Sequence, residues 1–413
     1  MAETKLLQSK IIVNKNIYVT LLKDVIVMNI GIVAEWNPFH NGHRYLVDTI
    51  RSSTPNATII GVMSGAFCQR GEAACVDKWT RAEMALANGV DVVLELPQVY
   101  ATASLEGFAH GGVATLLAFA PLDALYCGSE SANSKKISAQ AAYLKSHQAD
   151  YDLFIRESAD LSYSEASQRF LANAGLTAGK ETPNDRLALH YRLALPEEIP
   201  MHLVRRDVSH HSDAPHGAMM SASAIRAHLP HALNEVCAYL PNESIEVLAR
   251  SYEKGAQNPD YSILLTTLKV LTCSMNTPTL AVRLHVHDGW EHRFLEAVRD
   301  ASDFSDLLTR SQTKHYSRSR IQRLVLSLLS PLPQAPPSPG YVRVLGFSQR
   351  GRTLLKERDK NIPLILNTAK DARALSPDAQ TLLEGDIHRQ NLADLICHRL
   401  QKNRDYIERP RMM

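Results

Sequence analysis

No C-x-x-C pair and no regular cysteine spacing occur in this chain, although it has six cysteines, Cys68, Cys75, Cys127, Cys237, Cys273 and Cys397. A disulfide framework and a cysteine-built zinc site are thereby excluded, and scattered thiols of this kind imply the reducing cytosol. Residues 1–27 contain lysines and many Ile and Val, yet no apolar run there approaches the roughly 18 residues that a membrane span requires. The charged start, apolar middle and small-residue cleavage site of a secretory signal are not all present either, so no membrane partner is expected and the location is cytoplasmic. Met28 stands immediately before the first recognisable strand, and the leader reads as an upstream translation start outside the fold. Charge of one sign is also missing overall, the formal net being +2.

What is there suits two or three domains: 413 residues, 45% hydrophobic and 21% charged, enough for a sizeable core. The charge is unevenly placed, because residues 301–413 hold 19 Lys plus Arg against 11 Asp plus Glu. Such a tail suits a polyanionic partner.

The stretch from Asn29 to Arg51, NIGIVAEWNPFHNGHRYLVDTIR, carries the densest chemistry. Ile30 to Ala34 reads as a buried strand, Asn37-Pro38 breaks it, and helical spacing resumes at Arg44 with Tyr45, Leu46, Thr49 and Ile50. Between strand and helix lie His40, Asn41, Gly42 and His43, where the free N–H groups and dipole of a helix start favour an anion. Gly42 lets the backbone approach a ligand closely, and His40 and His43, three apart, can donate to the same phosphate oxygens. Two loop histidines without chemical consequence also satisfy H-x-G-H; the strand before and the helix after make this one a phosphate site. The tetrapeptide resembles the signature of the nucleotidyltransferase and class I aminoacyl-tRNA synthetase superfamily, whose chemistry is attack on a nucleotide α-phosphate with loss of pyrophosphate.

After the motif helix, Thr58 to Met63 reads as a second strand, Lys78 to Asn88 as a helix closed by Gly89, and Asp91 to Leu96 as a third strand ended by Pro97. Leu105 to Phe119 forms an alanine-rich helix, and Ala124 to Cys127 a short strand running into Gly128-Ser129-Glu130. This alternation predicts an α/β fold, an N-terminal doubly wound parallel sheet with helices on both faces. Its ligand belongs at the carboxyl ends of the strands, so the His40 and Gly128 loops should face one pocket. Lys135 to Leu195 is mainly helical, with a polar break from Gly179 to Pro183 before a helix beginning near Asn184. Met201 to Arg205 is a further strand. The loop after it carries His210, His211 and His216 without paired helical spacing or acidic ligands, and reads as solvated or substrate-facing, not as a metal site.

Motifs then accumulate. GIVAEWNPFHNGHRYL (Gly31 to Leu46), VMSGAFCQRGE (Val62 to Glu72), DKWTRAEMALANGVDVVLELP (Asp77 to Pro97) and CGSE (Cys127 to Glu130) are followed by PNDRLALHY, SASAIR, HYSRSRIQRLVLSLL and YVRVLGFSQRGRTLL. Together they resemble the tRNA(Met) cytidine acetate ligase family over nearly everything after Met28. The resemblance implies a Rossmann-like nucleotidyltransferase domain of the HUP type over residues 28–229. A mostly α-helical, basic C-terminal part over 230–413, interrupted by the Pro-rich linker 331–340, would follow.

It also implies ATP contacts from Val33, Ala34, Glu35, Trp36, Asn37, Pro38, Phe39, His40, Asn41, Gly42, His43, Arg44, Tyr45 and Leu46. Gly128, Asn184 and an arginine of a later strand, Arg205 with Arg206 adjacent, would complete the set. Trp36 stands where the family more often has Tyr, as does His210; neither change removes a phosphate-binding group. His40 and His43 would be the catalytic donors, with Mg²⁺ accompanying ATP and no metal held by the protein itself. Lys78 and Arg81 would contact phosphates or merely solvate a helix face. Ser221 and Ser223 would donate to the triphosphate or only cap a helix.

The activity so implied is formation of acetyl-adenylate from acetate and ATP, then acetyl transfer to N4 of the wobble cytidine of elongator tRNA(Met). Acetate is already ionised at pH 7, so the first step needs charge neutralisation and not a strong base. In the C-terminal part, Ile321, Leu324, Val325, Leu328 and Leu329 make an apolar stripe that leaves Arg320 and Arg323 on the other face for RNA phosphates, or for solvent. A nucleotidyltransferase making a dinucleotide-type coenzyme would share the motif strand without needing this basic part. A non-catalytic tRNA-binding protein would not need His40 and His43.

Overall fold

The computed structural model describes residues 27–158, 160–177, 181–206, 219–229, 231–286, 289–358, 361–399 and 403–413. The leader and the His210, His211 and His216 loop lie outside the described residues. Among the described residues eight strands form one sheet: β1 (Asn29–Ala34), β2 (Thr58–Ser64), β3 (Val92–Leu96), β4 (Ala124–Ser129), β5 (Met201–Arg205), β6 (Val342–Phe347), β7 (Leu364–Ile365) and β8 (Arg411–Met412). Their order is β5-β4-β1-β2-β3-β6-β7, with β8 also paired to β6. The first five strands are parallel to one another, as the βα alternation predicts. The chain runs outward from β1 through β2 to β3, then returns to lay β4 on the other side of β1. That reversal opens a crevice beyond the carboxyl ends of β1 and β4.

The helices that matter to the site are α1 (Asn41–Ser53), α2 (Lys78–Ala87), α3 (Leu105–Phe119), α4 (Pro183–Ala194), α5 (Ala222–His228), α6 (Arg318–Leu329), α7 (Pro377–Ile396) and α8 (Arg404–Ile407). Both sheet faces are covered, and the period of two shows in the packing. Ile30, Ile32, Ile59, Met63 and Val93 join one core cluster with α1 and α2, whereas Val33, Ile60, Val62, Val92 and Leu94 join the other with α3 and α4. Strands buried on both faces read as continuous apolar runs, which is why TIIGVM and DVVLEL were legible.

The expected division at residue 229 does not divide the sheet. Tyr341 to Phe347 carries an alternation that reads as a strand, but its partner is β3, in antiparallel register, so the C-terminal part completes the N-terminal sheet. C-terminal helices also bury Ala66, Phe67 and Ala73, from the loop after β2, in their own apolar cluster. Gly71 in that loop has φ +82°, and a Cβ there would lie 2.8 Å from the Arg323 backbone nitrogen on α6. Among the described residues no helix is long and apolar enough to cross a membrane.

Lys78 opens α2 but faces inward. Its side chain is fully buried, 2.7 Å from Glu95 of β3 and 2.6 Å from Asp405 of α8. Arg343 of β6 pairs with the same two carboxylates. Two cations and two carboxylates thus balance inside the protein, and a phosphate role for Lys78 is corrected to one that fastens α8 to the sheet. Arg81, also fully buried, spends its guanidinium on the backbone carbonyls of Val76, Glu35 and Gly65. It too is removed from the phosphate contacts, and instead holds the end of the β1 loop in place.

Candidate active site

The crevice at the β1/β4 reversal holds a cavity of about 200 Å³. Ile32, Val33 and Ala34 line it from the end of β1, and Cys127 and Gly128 from the end of β4. The two loops expected to share a pocket do share one. The Gln69–Arg70 turn closes the β2 side, Pro183, Asn184, Leu187 and Tyr191 of α4 and Arg206 close the β4/β5 side, and Leu105 and Phe108 of α3 close another wall.

His40 is the N-cap of α1, and its Nδ1 accepts the Gly42 N–H at 3.0 Å. The His43 Nδ1 in turn accepts the His40 N–H at 3.2 Å. Each ring therefore uses Nδ1 as an acceptor, which in the neutral imidazole leaves the proton on Nε2. The rings stack with centroids 3.8 Å apart and both line the cavity. The local sequence produces this: a residue able to cap at His40, a second acceptor three positions on, and helix propagation from Asn41. The Gly42 N–H is thereby committed to the cap.

Of the implied nucleotide contacts in this segment, Val33, Ala34, Glu35, Trp36, Asn37, His40, His43 and Leu46 line the cavity. Pro38, Phe39, Asn41, Gly42, Arg44 and Tyr45 do not. Phe39 is fully buried in the core, Asn41 donates to the Ala238 carbonyl, and Arg44 points away to Asp48, Asn88 and Glu243. Tyr45 is 51% exposed. A helix turns its side chains through about 100° per residue, so only one face of α1 can address the crevice. The Trp36 indole lies over Gly61 and beside Phe39, within the core.

Gly128 is needed because the Arg206 side chain crosses over it, and a Cβ there would meet Arg206 Cδ at 2.7 Å. Arg206 Nη1 reaches Asn184 Oδ1 at 3.5 Å, and Asn184 Nδ2 donates to Glu130 at 2.6 Å. Thr182 Oγ1 donates to the other Glu130 oxygen at 2.8 Å, while Asp185 accepts from Ser129 and from the Ser131 N–H. The G-S-E turn and the start of α4 are thereby cross-linked, which accounts for the two motifs occurring together. Arg205 does not line the cavity; Arg206, the next residue, does. Burial lowers the Arg206 guanidinium from its ordinary range, and the Glu130 carboxylate opposes that.

Ser221 is the N-cap of α5, accepting the Ala224 N–H at 3.2 Å, and Ser223 is exposed, so both stay off the cavity wall, where α5 places Ala222. Arg320 and Arg323 do not share a free face. Arg320 lies over the Tyr316 ring at 4.0 Å and is exposed, whereas Arg323 is half-buried with Nη1 on the Gln69 carbonyl at 3.2 Å. Burial, aided by Arg320, brings the Arg323 guanidinium down to about 10.

Sequence reasoning missed Arg70, Cys127, Leu105, Phe108, Leu187 and Tyr191 as cavity residues. Arg70 fell within a quoted motif but had no spacing relation to the histidines, and the helical residues read only as core. Burial, with the Asp185 carboxylate adding to it, pushes the Cys127 thiol up to about 12, so it is neutral at pH 7 and serves as packing, not as a nucleophile.

A family model described as HIGH nucleotidyl transferase matches residues 27–407. A tRNA(Met) cytidine acetate ligase of Caldanaerobacter subterraneus subsp. tengcongensis is 33% identical over 83% of this chain and 89% of its own length. That of Listeria welshimeri is 35% identical over 89% of this chain and 94% of its own. The crystal structure of Thermotoga maritima TmcAL bound with alpha-thio ATP superposes with a TM-score of 0.82, at 29% identity, covering 94% of this chain and all of that one. Matched along nearly its whole described length by sequence and by structure, the chain belongs to the HIGH nucleotidyl transferase family and, within it, to the tRNA(Met) cytidine acetate ligases.

Proposed function

We propose that this protein binds ATP in the β1/β4 crevice, condenses it with acetate to acetyl-adenylate and pyrophosphate, and passes the acetyl group to N4 of the wobble cytidine of elongator tRNA(Met). The observation that carries the reading is the stacked His40–His43 pair, both rings with Nδ1 committed to backbone N–H groups. Two Nε2–H donors held in this way cost nothing to reorganise as charge builds on an α-phosphate. A carboxylate oxygen of acetate attacks phosphorus as the bond to the bridging oxygen of pyrophosphate breaks, and no protein nucleophile takes part. The imidazoles hold the phosphoryl oxygens while the charge moves to the leaving group.

The walls fit the rest of a nucleotide. Gly128 lines the β4 side beneath the Arg206 side chain, and Asn184, fixed by Glu130, presents an amide there. Mg²⁺ would accompany the phosphates of ATP and would neutralise the departing pyrophosphate. The cytidine amine is a weak nucleophile because its lone pair is delocalised into the ring, which is why an activated acyl donor must be made first. The adenylate's carbonyl carbon accepts that nitrogen, AMP leaves, and the nitrogen releases a proton. For the RNA, exposed basic residues beyond residue 300, Arg320 among them, supply the polyanion contacts.

The test is exchange of labelled pyrophosphate into ATP with and without acetate, followed by nucleoside analysis of added tRNA. Acetate-dependent exchange and N4-acetylcytidine are the expected results. Exchange that requires a phosphorylated coenzyme precursor and ignores acetate would support a dinucleotide-forming enzyme instead.

A further inference from the structure

We propose that Arg70 is the residue that binds the carboxylate of the acyl substrate, and that Leu105 and Phe108 form the wall against its methyl group. The inference rests on the acetate-activating reading above and assigns that substrate a place in the cavity.

Two features set Arg70 apart. It lines the same cavity as His40 and His43, and among the described residues no hydrogen bond or ion pair engages its guanidinium. Every other arginine near the site is tied down: Arg81 to three carbonyls, Arg226 to the Asn37 carbonyl and Glu72, Arg206 to Asn184. An arginine at a cavity wall that makes no ion pair, although the Glu35 carboxylate lines the same cavity, is available to an anion that arrives from outside, and its planar fork suits a carboxylate.

The position is fixed from behind. The Gln69 N–H donates to Glu35 at 2.7 Å, its side-chain amide donates to the Ala103 carbonyl at 3.1 Å, and its own carbonyl accepts from Arg323 at 3.2 Å. Three different parts of the chain thus anchor the residue before Arg70. The Ala103 contact also brings the turn against the start of α3, where Leu105 and Phe108 add apolar surface to the cavity. A cation beside a small apolar wall matches a two-carbon carboxylate.

Strand order decides which side that is. Gly128, Asn184 and Arg206 belong to the β4/β5 flank, Arg70 follows β2 on the opposite flank, and the two imidazoles project from the loop after β1, between them. With the nucleoside on the flank of Gly128, Asn184 and Arg206, the attacking group has the β2 flank. An anion held there stands across the imidazole pair from the nucleoside, which is what attack at the α-phosphorus requires.

The experiment is steady-state pyrophosphate exchange by the full-length protein and by Arg70→Gln, Arg70→Lys and Leu105→Ala, with acetate and ATP varied separately. ATP affinity is also measured directly by calorimetry without acetate. Arg70→Gln should raise the acetate KM about 10- to 100-fold, as expected for loss of a charge-assisted pair, and leave ATP affinity within about twofold. Arg70→Lys should restore part of the loss. Leu105→Ala should shift preference toward propionate by about 10-fold, the scale of one methylene in an apolar pocket. If Arg70→Gln instead weakens ATP binding, Arg70 is a phosphate ligand and the assignment is wrong; an unchanged acetate KM overturns it equally. Absence of any acetate dependence in the unmodified protein would refute the activity itself, an outcome separate from both.

Discussion

Replacing Lys78 by methionine distinguishes a buried structural cation from a phosphate ligand. The Lys78 ammonium is fully buried between Glu95 and Asp405, with Arg343 the second cation of the group. Removing it leaves two carboxylates facing one guanidinium, an excess negative charge in a buried region. Breaking a buried pair from one side costs about 3–5 kcal/mol, against a total stability of about 5–15 kcal/mol. The loss should appear as a lower urea midpoint, followed by tryptophan fluorescence. Trp79 is a local reporter, its ring centroid lying 5.0 Å from the Lys78 ammonium and 4.8 Å from the Arg404 guanidinium. Adding Glu95→Gln to Lys78→Met restores the charge balance, and the double variant should be more stable than the sum of the singles predicts by about 1–3 kcal/mol. ATP affinity, measured well below the unfolding transition, should stay within about twofold. A Lys78→Met protein with an unchanged urea midpoint and weakened ATP binding would refute the reasoning and restore the phosphate role.

His40→Ala and His43→Ala should each slow acetate-dependent pyrophosphate exchange by about 100-fold or more, the scale of losing one transition-state donor; His40→Asn, which can still cap α1, should recover stability but not rate. Arg206→Gln should raise the ATP KM about 10-fold while Arg205→Gln leaves it unchanged, a comparison that kinetics on the two variants decides. Arg320→Glu should weaken tRNA binding and flatten its salt dependence by up to about one unit of slope, whereas Arg323→Glu should impair pyrophosphate exchange as well, through Gln69. Burial, with Arg186 adding to it, pulls the His190 ring from 6.5 down to about 4, so the unfolded chain takes up a proton that the folded protein refuses. Stability should therefore fall as pH drops from about 6.5 to 4, and a melting-temperature series should show that slope reduced in His190→Leu.

The parts of the molecule legible in the sequence are those governed by local pattern. Largely apolar runs of four to six residues placed β1 to β4 to within a residue or two of their observed ends, because strands covered on both faces have few polar positions, Glu95 being one, to blur the signal. A strand, then His40 to His43, then a helix is likewise a local matter, and so was the convergence of the Gly128 and His40 loops once the sheet was parallel. Burial and long-range pairing were not legible. Lys78 and Arg81, at the start of a helix in a family with basic phosphate contacts, look like ligands until β3, β6 and α8 close over the first and carbonyls from three segments claim the second. Arg205 and Arg206 are neighbours in sequence, and only the register of β5 against β4 places one of them over Gly128. Arg323 reads as solvent-facing on its own helix because periodicity describes one element at a time, while the Gln69 carbonyl that receives it lies 254 residues earlier. Arg70 had no motif spacing to mark it. What makes it a candidate is a cavity-wall position at which its guanidinium makes no ion pair among the described residues, a property of the surroundings that only tertiary structure assembles.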